Sequence, residues 1–323
     1  MVQRQKATKR VTGTNDIYER VTNKIIADLE KGDLTWLQPW KNGPATLPLR
    51  HNGIPYSGIN VLVLWATAAE KGYQTPIWMT YQQAKELGGH VRRDEHGVTV
   101  VKSGTFLKKE TDEKGDEVER AGKFLKTYTV FNVSQIEGLP AHYYATPKIE
   151  KVNAGERIQQ AEEWVNHTGA EIIYGGNEAK YIPALDRVHM PNFDAFTDPE
   201  GYYGTLTHEL IHWTKHETRL DRDFGGKRFG DEGYAMEELV AELGSAFACA
   251  SLDIAAEPSE NSAAYLASWL RVLKEDKRAI FTAASHAQKA VDLLCGKIRQ
   301  TDEEITNAYE QGKAHDDKAQ GIM

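Results

Sequence analysis

The sequence predicts an α+β chain of two domains, and three observations predict it. Its 323 residues exceed a single small module and match two domains of ordinary size. With 40% hydrophobic and 27% charged residues, it has the balance of a globular protein rather than a disordered one. The third observation is a change of period. Runs rich in β-branched and aromatic residues begin at Gly97, and from Asp198 onward the pattern is almost wholly helical. The first domain is therefore mixed, and the second is mostly helical with a small sheet.

Taken in order, residues 1–14 are polar and basic and read as an arm before a first domain over 15–138. Asp16 can cap a helix whose Ile17, Val21, Ile25 and Leu29 recur every fourth position until Gly32 ends it. Gln38–Asn60 is turn-rich, with Pro39, Pro44, Pro48 and Pro55. A second helix is expected over Val61–Lys71, and Thr80 caps a short third one that Gly88-Gly89 closes. GVTVVKSGTFLKK and GKFLKTYTVFNV then form a long β-hairpin with a charged tip between them. LPAHYYATPK, residues 139–148, reads as a linker.

The second domain, over 149–300, opens with a helix around Ala154–Thr168. Three short strands follow near Glu171–Tyr174, Lys180–Pro183 and Arg187–Met190. Asp198-Pro199 is a good helix start, a capping carboxylate followed by proline in the first turn. Helices then run near Pro199–Lys215, Glu232–Leu252, Pro258–Lys274 and Lys277–Lys297, before a polar tail over 301–323.

Composition excludes several classes. Cys249 and Cys295 are too few for a disulfide framework or a thiolate cluster, and they suit a reducing cytoplasm. No apolar run follows the basic MVQRQKATKR, so no secretory leader is expected. The longest apolar stretch, Val61–Ala69, is far shorter than a membrane span. The expectation is a cytoplasmic protein with no membrane partner. The net charge of −8 is uneven: residues 1–145 carry 20 Lys and Arg against 16 Asp and Glu, and the remainder 19 against 31. Six of the N-terminal acids sit in Glu110–Glu119 alone, a run that reads as a solubilising loop. A basic first half suits a polyanionic partner, although two ordinary solvated surfaces give the same count.

The chemistry concentrates in His208-Glu209-Leu210-Ile211-His212. Histidines four apart stand one turn apart on one helix face, so both imidazoles reach a single ion. Glu209 is then placed to act on water rather than on the ion. Two satisfied core histidines beside a surface glutamate would give the same pentapeptide. The longer motif, with a further glycine and histidine, is excluded because Lys215 and Thr218 hold those places. His216 is a poor third ligand, drifting roughly 80° around the helix from His208. Glu238 and Glu242, on an adjoining face of the next helix, are costly to bury unless a cation or donors meet them. Glu238 is assigned as third ligand and Glu242 as the acceptor that orients a ligating histidine, with Glu237 the competing neighbour. Two histidines, one glutamate and an open position form a hydrolytic rather than a structural site. Zinc is expected, and manganese, cobalt and nickel also suit the donors. Arg187–Pro191 is expected to be the edge strand along which a peptide lies.

In the first domain, aromatic and basic residues interleave: Trp36 and Trp40, Arg50 and Tyr56, Trp78 and Tyr81, then Arg92, Arg93 and Lys102. Rings beside cations suit single strands, whose unstacked bases lie on aromatic faces. Each of these rings equally suits a core. No helix-turn-helix or zinc-finger signature supports duplex reading.

These motifs resemble those of the ArdC-type antirestriction proteins of conjugative plasmids. The resemblance runs to about residue 300. It rests on DIYERVTNKIIADLEKG, YSGIN, WMT with LGG, and VFNVSQIEGL, and then on MPNFDAF, YYGTLTHELIHWT, RLDR and YAMEELVAELGSAFACASL. It implies a single-stranded-DNA-binding domain, shared with plasmid primases, followed by a zincin-like metallopeptidase domain. It also implies protection of incoming DNA from type I restriction, with His208, His212 and Glu238 as metal ligands and Glu209 as acid/base. Three mechanisms follow: cleavage of a restriction subunit or other host factor, occlusion of DNA, or a scaffold for replication and primase proteins.

Overall fold

The computed structural model describes residues 14–32, 46–111, 117–145, 158–225, 231–255 and 262–296. Trp36, Trp40, the 1–13 arm, the hairpin tip and the 301–323 tail lie outside them.

The first helix, α1 (Thr14–Glu30), starts two residues before Asp16 and buries Ile25, Ile26 and Leu29. β1 (Leu49–Arg50) leads to α2 (Ile59–Lys71), which begins after Gly58 at φ +58° and ends at Gly72 at φ +68°. Both glycines occupy the left-handed region that other residues avoid. β2 (Ile77–Thr80) runs into α3 (Tyr81–Glu86), where Thr80 and Gln83 form a reciprocal capping box. β3 (His90–Val91) precedes the long hairpin of β4 (Val98–Thr111) and β5 (Glu117–Asn132), and β6 (Ile136–Glu137) pairs with β3. The main sheet has the order β1-β2-β5-β4, with β1 parallel to β2 and the other pairs antiparallel.

Leu139–Ala145, expected as linker, packs against the first domain instead. Tyr143 is buried, and the Tyr144 hydroxyl donates to Ile136 O and accepts from Leu139 N–H. The two tyrosines are its anchors.

In the second half, α4 (Gln159–Thr168) precedes a three-stranded sheet of β7 (Glu171–Tyr174), β8 (Lys180–Ile182) and β9 (Arg187–Met190). Its order is β7-β9-β8, with β7 parallel and β8 antiparallel to β9. Arg187–Met190 is thus the central strand and not the expected edge. The buried Val188 and Met190 agree with that place. Four helices follow: α5 (Pro199–Trp213), α6 (Glu232–Ser251), α7 (Ser262–Glu275) and α8 (Ala279–Leu294).

The two halves share one hydrophobic core. Trp65 of α2 meets Phe247 of α6 at 5.9 Å between ring centroids, and Tyr18 of α1 meets Phe281 of α8 at 4.5 Å. Thr22 Oγ1 donates to Lys277 O at 2.6 Å, and Gly58 N–H to Gln288 Oε1 at 3.0 Å. α6 therefore touches the first half directly while carrying the glutamates of the candidate site.

Close approach of α5 and α6 depends on Gly244. A methyl at that position would lie 2.8 Å from Ile211 Cδ1 and Cγ1. Gly244→Ala is therefore expected to cost about 1–3 kcal/mol of overpacking, despite alanine's better helix propensity. Denaturant unfolding checks this, and a variant as stable as the parent would contradict the contact.

Candidate metal centre

α5 begins where Asp198 accepts from Gly201 N–H at 2.7 Å, with Pro199 in its first turn. Its buried Leu206, Leu210 and Ile211 hold the helix in the core and bring His208 and His212 to one side. α6 crosses there. Leu239, Leu243 and Phe247 bury its apolar face, and Glu237, Glu238 and Glu242 are buried with it.

The Glu238 carboxylate stands between both imidazoles, with Oε2 at 3.6 Å from His208 Nε2 and Oε1 at 3.6 Å from His212 Nε2. One donor atom from each of the three residues lies within 4.8 Å of the others. Two imidazole nitrogens and a carboxylate at this spacing suit one divalent cation. The other ring nitrogens face further acids: His208 Nδ1 lies 3.5 Å from Glu242 Oε1, and His212 Nδ1 hydrogen-bonds Glu237 Oε1 at 3.0 Å. The His212 bond fixes that ring's orientation and raises its basicity, whereas His208 Nδ1 is buried and faces the Glu242 carboxylate without a hydrogen bond.

Glu237, seen in sequence only as a competitor of Glu238, has its own place. Neighbours on a helix point about 100° apart, so adjacent glutamates serve different nitrogens. Arg222 grips Glu237 with two bonds, Nε to Oε2 at 2.8 Å and Nη2 to Oε1 at 2.9 Å. The same guanidinium donates to Thr214 Oγ1 and to Ile211 O, each at 3.0 Å. Sequence reasoning missed Arg222, although it lies in the RLDR run. Its neighbour Arg219 is different: it stacks 3.6 Å over Trp213 and pairs with Asp186 beside β8.

Glu209 does not join the three donors. Its Oε2 accepts from Tyr181 N–H on the β8 edge of the sheet, at 2.7 Å. The Tyr234 and Tyr265 hydroxyls lie 3.2 Å apart. Burial raises both phenol pKa values; the bond to Tyr265 and then the Glu238 charge add to it for Tyr234, while for Tyr265 the bond with Tyr234 opposes it and the Glu238 charge adds to it, so both stay neutral. Tyr234 sits one turn before Glu238, the signal that could have found it. His216 is half-buried and outside the three donors, with Nδ1 2.9 Å from Thr218 Oγ1.

Burial pulls the His212 pKa down, but the Glu237 and Glu238 carboxylates outweigh it and raise it to about 10. His208 is raised too, against burial, by Glu238 and Glu242. Arg222 and His212 overcome burial to lower Glu237 to about 2. Without metal, the His212 imidazole is therefore protonated at neutral pH, and a cation must displace that proton. Since acid favours the protonated, metal-free form, affinity should fall with falling pH, by about tenfold per unit for each proton displaced. Titration calorimetry in buffers of different ionisation enthalpy checks this, and an affinity flat between about pH 6 and about pH 9 would contradict it.

The proposed DNA residues scatter. Arg50 is exposed and lies over the Tyr56 ring at 5.1 Å; Tyr81, Arg93 and Lys102 are exposed; Arg92 pairs with Glu95 at 2.7 Å. Tyr56 and Trp78 are buried, so neither ring is open to a base. Trp78 packs edge-on against Tyr73 as part of the core.

Two family profiles match: the N-terminal domain of anti-restriction factor ArdC over 15–131, and a zincin-like metallopeptidase over 159–286. An uncharacterised Sinorhizobium fredii protein, y4eC, is 42% identical over 286 residues, covering 86% of this chain and 91% of its own. DNA primase TraC of Escherichia coli is 37% identical over 90% of this chain, which spans 28% of that primase. Crystal structures of antirestriction protein ArdC from plasmid R388 superimpose in metal-free and Mn(II)-bound forms, each with a TM-score of 0.73. The metal-free form is 47% identical and covers 88% of this chain and 98% of its own; the Mn(II)-bound form is 46% identical, covering 87% and 98%. With its N-terminal ArdC domain and its zincin-like domain in the same order, the chain belongs to the ArdC antirestriction family.

Proposed function

We propose that this protein binds single-stranded DNA with its first domain and protects incoming plasmid DNA from type I restriction. We further infer that its second domain is a metal-dependent peptidase working in the cytoplasm. The observation that carries the peptidase reading is the meeting of His208, His212 and Glu238, with Glu209 held just outside them.

Zinc suits these donors, as do manganese, cobalt and nickel. A bound ion supplies Lewis acidity at this place, bringing water's pKa towards neutrality and polarising a carbonyl. Glu209 takes the proton from the attacking water and returns it to the leaving amine. Tyr234 and Tyr265 donate towards the charge that develops on the substrate oxygen. β8, not β9, offers the edge beside Glu209, along which an extended peptide can pair. Glu237 with Arg222, and Glu242, hold the imidazoles in register.

Host restriction subunits are the favoured peptide targets. A second reading, occlusion of DNA or recruitment of replication and primase proteins, is favoured by the match to TraC across nearly the whole chain. Restriction protection in a recipient with an active type I system separates the two, comparing the parent with Glu209→Gln at equal expression and metal content. Protection by the parent alone supports the peptidase. Equal protection by both assigns the effect to DNA binding, and failure of both overturns the antirestriction reading for this chain.

A further inference from the structure

The long hairpin has one face unlike the other, and the strand register shows it. Residues directly opposite one another, and every second residue along each strand, share a face. At the base, Val98 stands opposite Val130 and Val100 opposite Tyr128. Val100 and Val130 are buried in the shared core, whereas Tyr128 is 42% exposed. This face therefore starts inside the domain and runs out of it. The next pair outward is Lys102 opposite Lys126, both exposed.

The register then sets Gly104 opposite Phe124, Phe106 opposite Gly122 and Lys108 opposite Arg120. Along the described part of this face, the order outward is therefore a tyrosine and then a cation pair. Successive pairs on a face lie about 6.8 Å apart, close to the reach of one nucleotide in an extended strand. The alternate face carries Thr99 opposite Thr129 and Val101 opposite Thr127, and it has no such order.

The base of the hairpin is fixed. Asn60 at the start of α2 donates to Val101 O and accepts from Val101 N–H, both at 2.8 Å, on the open edge of β4. α2 is itself tied to α8 through Gly58 and Gln288.

We propose that the face of the β4–β5 hairpin bearing Tyr128, Lys102 and Lys126 is the single-strand binding surface, with phosphates along the lysines and a base stacked on Tyr128. This rests on the single-stranded-DNA reading above and replaces the buried Tyr56 and Trp78 as its stacking residues.

The test is fluorescence anisotropy of a labelled oligothymidine with the full chain, over a range of salt. Lys102→Gln with Lys126→Gln is expected to weaken binding and to lower the log–log salt slope by about 1.4, roughly 0.7 for each cation. Tyr128→Ala is expected to weaken binding about tenfold with the slope unchanged. Lys102→Arg with Lys126→Arg should keep the parent slope, and Thr127→Ala, on the other face, should bind as the parent does. All four positions are exposed, and circular dichroism melts verify each variant's fold. If the parent binds while the lysine and tyrosine variants match it in affinity and slope, the hairpin assignment is wrong and the DNA reading stands. If the parent fails to bind, both fall. Duplex competing as well as the single strand overturns the stacking argument.

Discussion

Arg222→Met is expected to destabilise the metal-free protein by about 3–5 kcal/mol, because it leaves the Glu237 carboxylate buried without its main partner. Glu237 is 8% exposed and Arg222 5%, so water replaces little of the lost bidentate contact. Ile211 O and Thr214 Oγ1 each lose a donor as well. Removing both charges together, as Arg222→Met with Glu237→Met, should recover part of the loss, since neither ion is then stranded. Urea unfolding of the three variants measures this. A single Arg222→Met costing under about 1 kcal/mol would refute the clamp. Metal affinity gives a second readout: a freed Glu237 holds the His212 ring less firmly, and affinity should fall about 10- to 100-fold.

The second large effect concerns Glu209. Glu209→Gln removes the base but none of the three donors that face one another, so metal should bind as in the parent. Peptide hydrolysis should fall about 10²- to 10⁴-fold, the range of positioned acid–base groups. The glutamine can still accept from Tyr181 N–H, so the β8 edge should keep its place. Loss of metal with the substitution would make Glu209 a ligand and not the base. Undiminished hydrolysis would move the proton transfer to another group.

What was legible in the sequence is what short-range geometry encodes. The HExxH pair follows from one helical turn, and Glu238 from the cost of burying a carboxylate on an otherwise apolar helix. The cap at Thr80 and the paired runs around the hairpin were likewise local, whereas the return bond from Gln83 was not read. Arg222 was not legible, because its contact with Glu237 closes over a loop and an entire helix packing. Nor was the order β7-β9-β8: alternation marks Arg187–Met190 as a strand but carries no information on its neighbours. Interleaved rings and cations misled at Tyr56 and Trp78, since a buried ring and a stacking platform use the same residue types. Register separates the two uses, and it points to Tyr128 instead.

The most direct measurement is anomalous scattering from crystals of this protein grown with manganese, and again with zinc. The account predicts one peak bonded to His208 Nε2, His212 Nε2 and a Glu238 oxygen, with Glu209 near it and not bonded to it. A peak on other residues, or none at saturating metal, would contradict it.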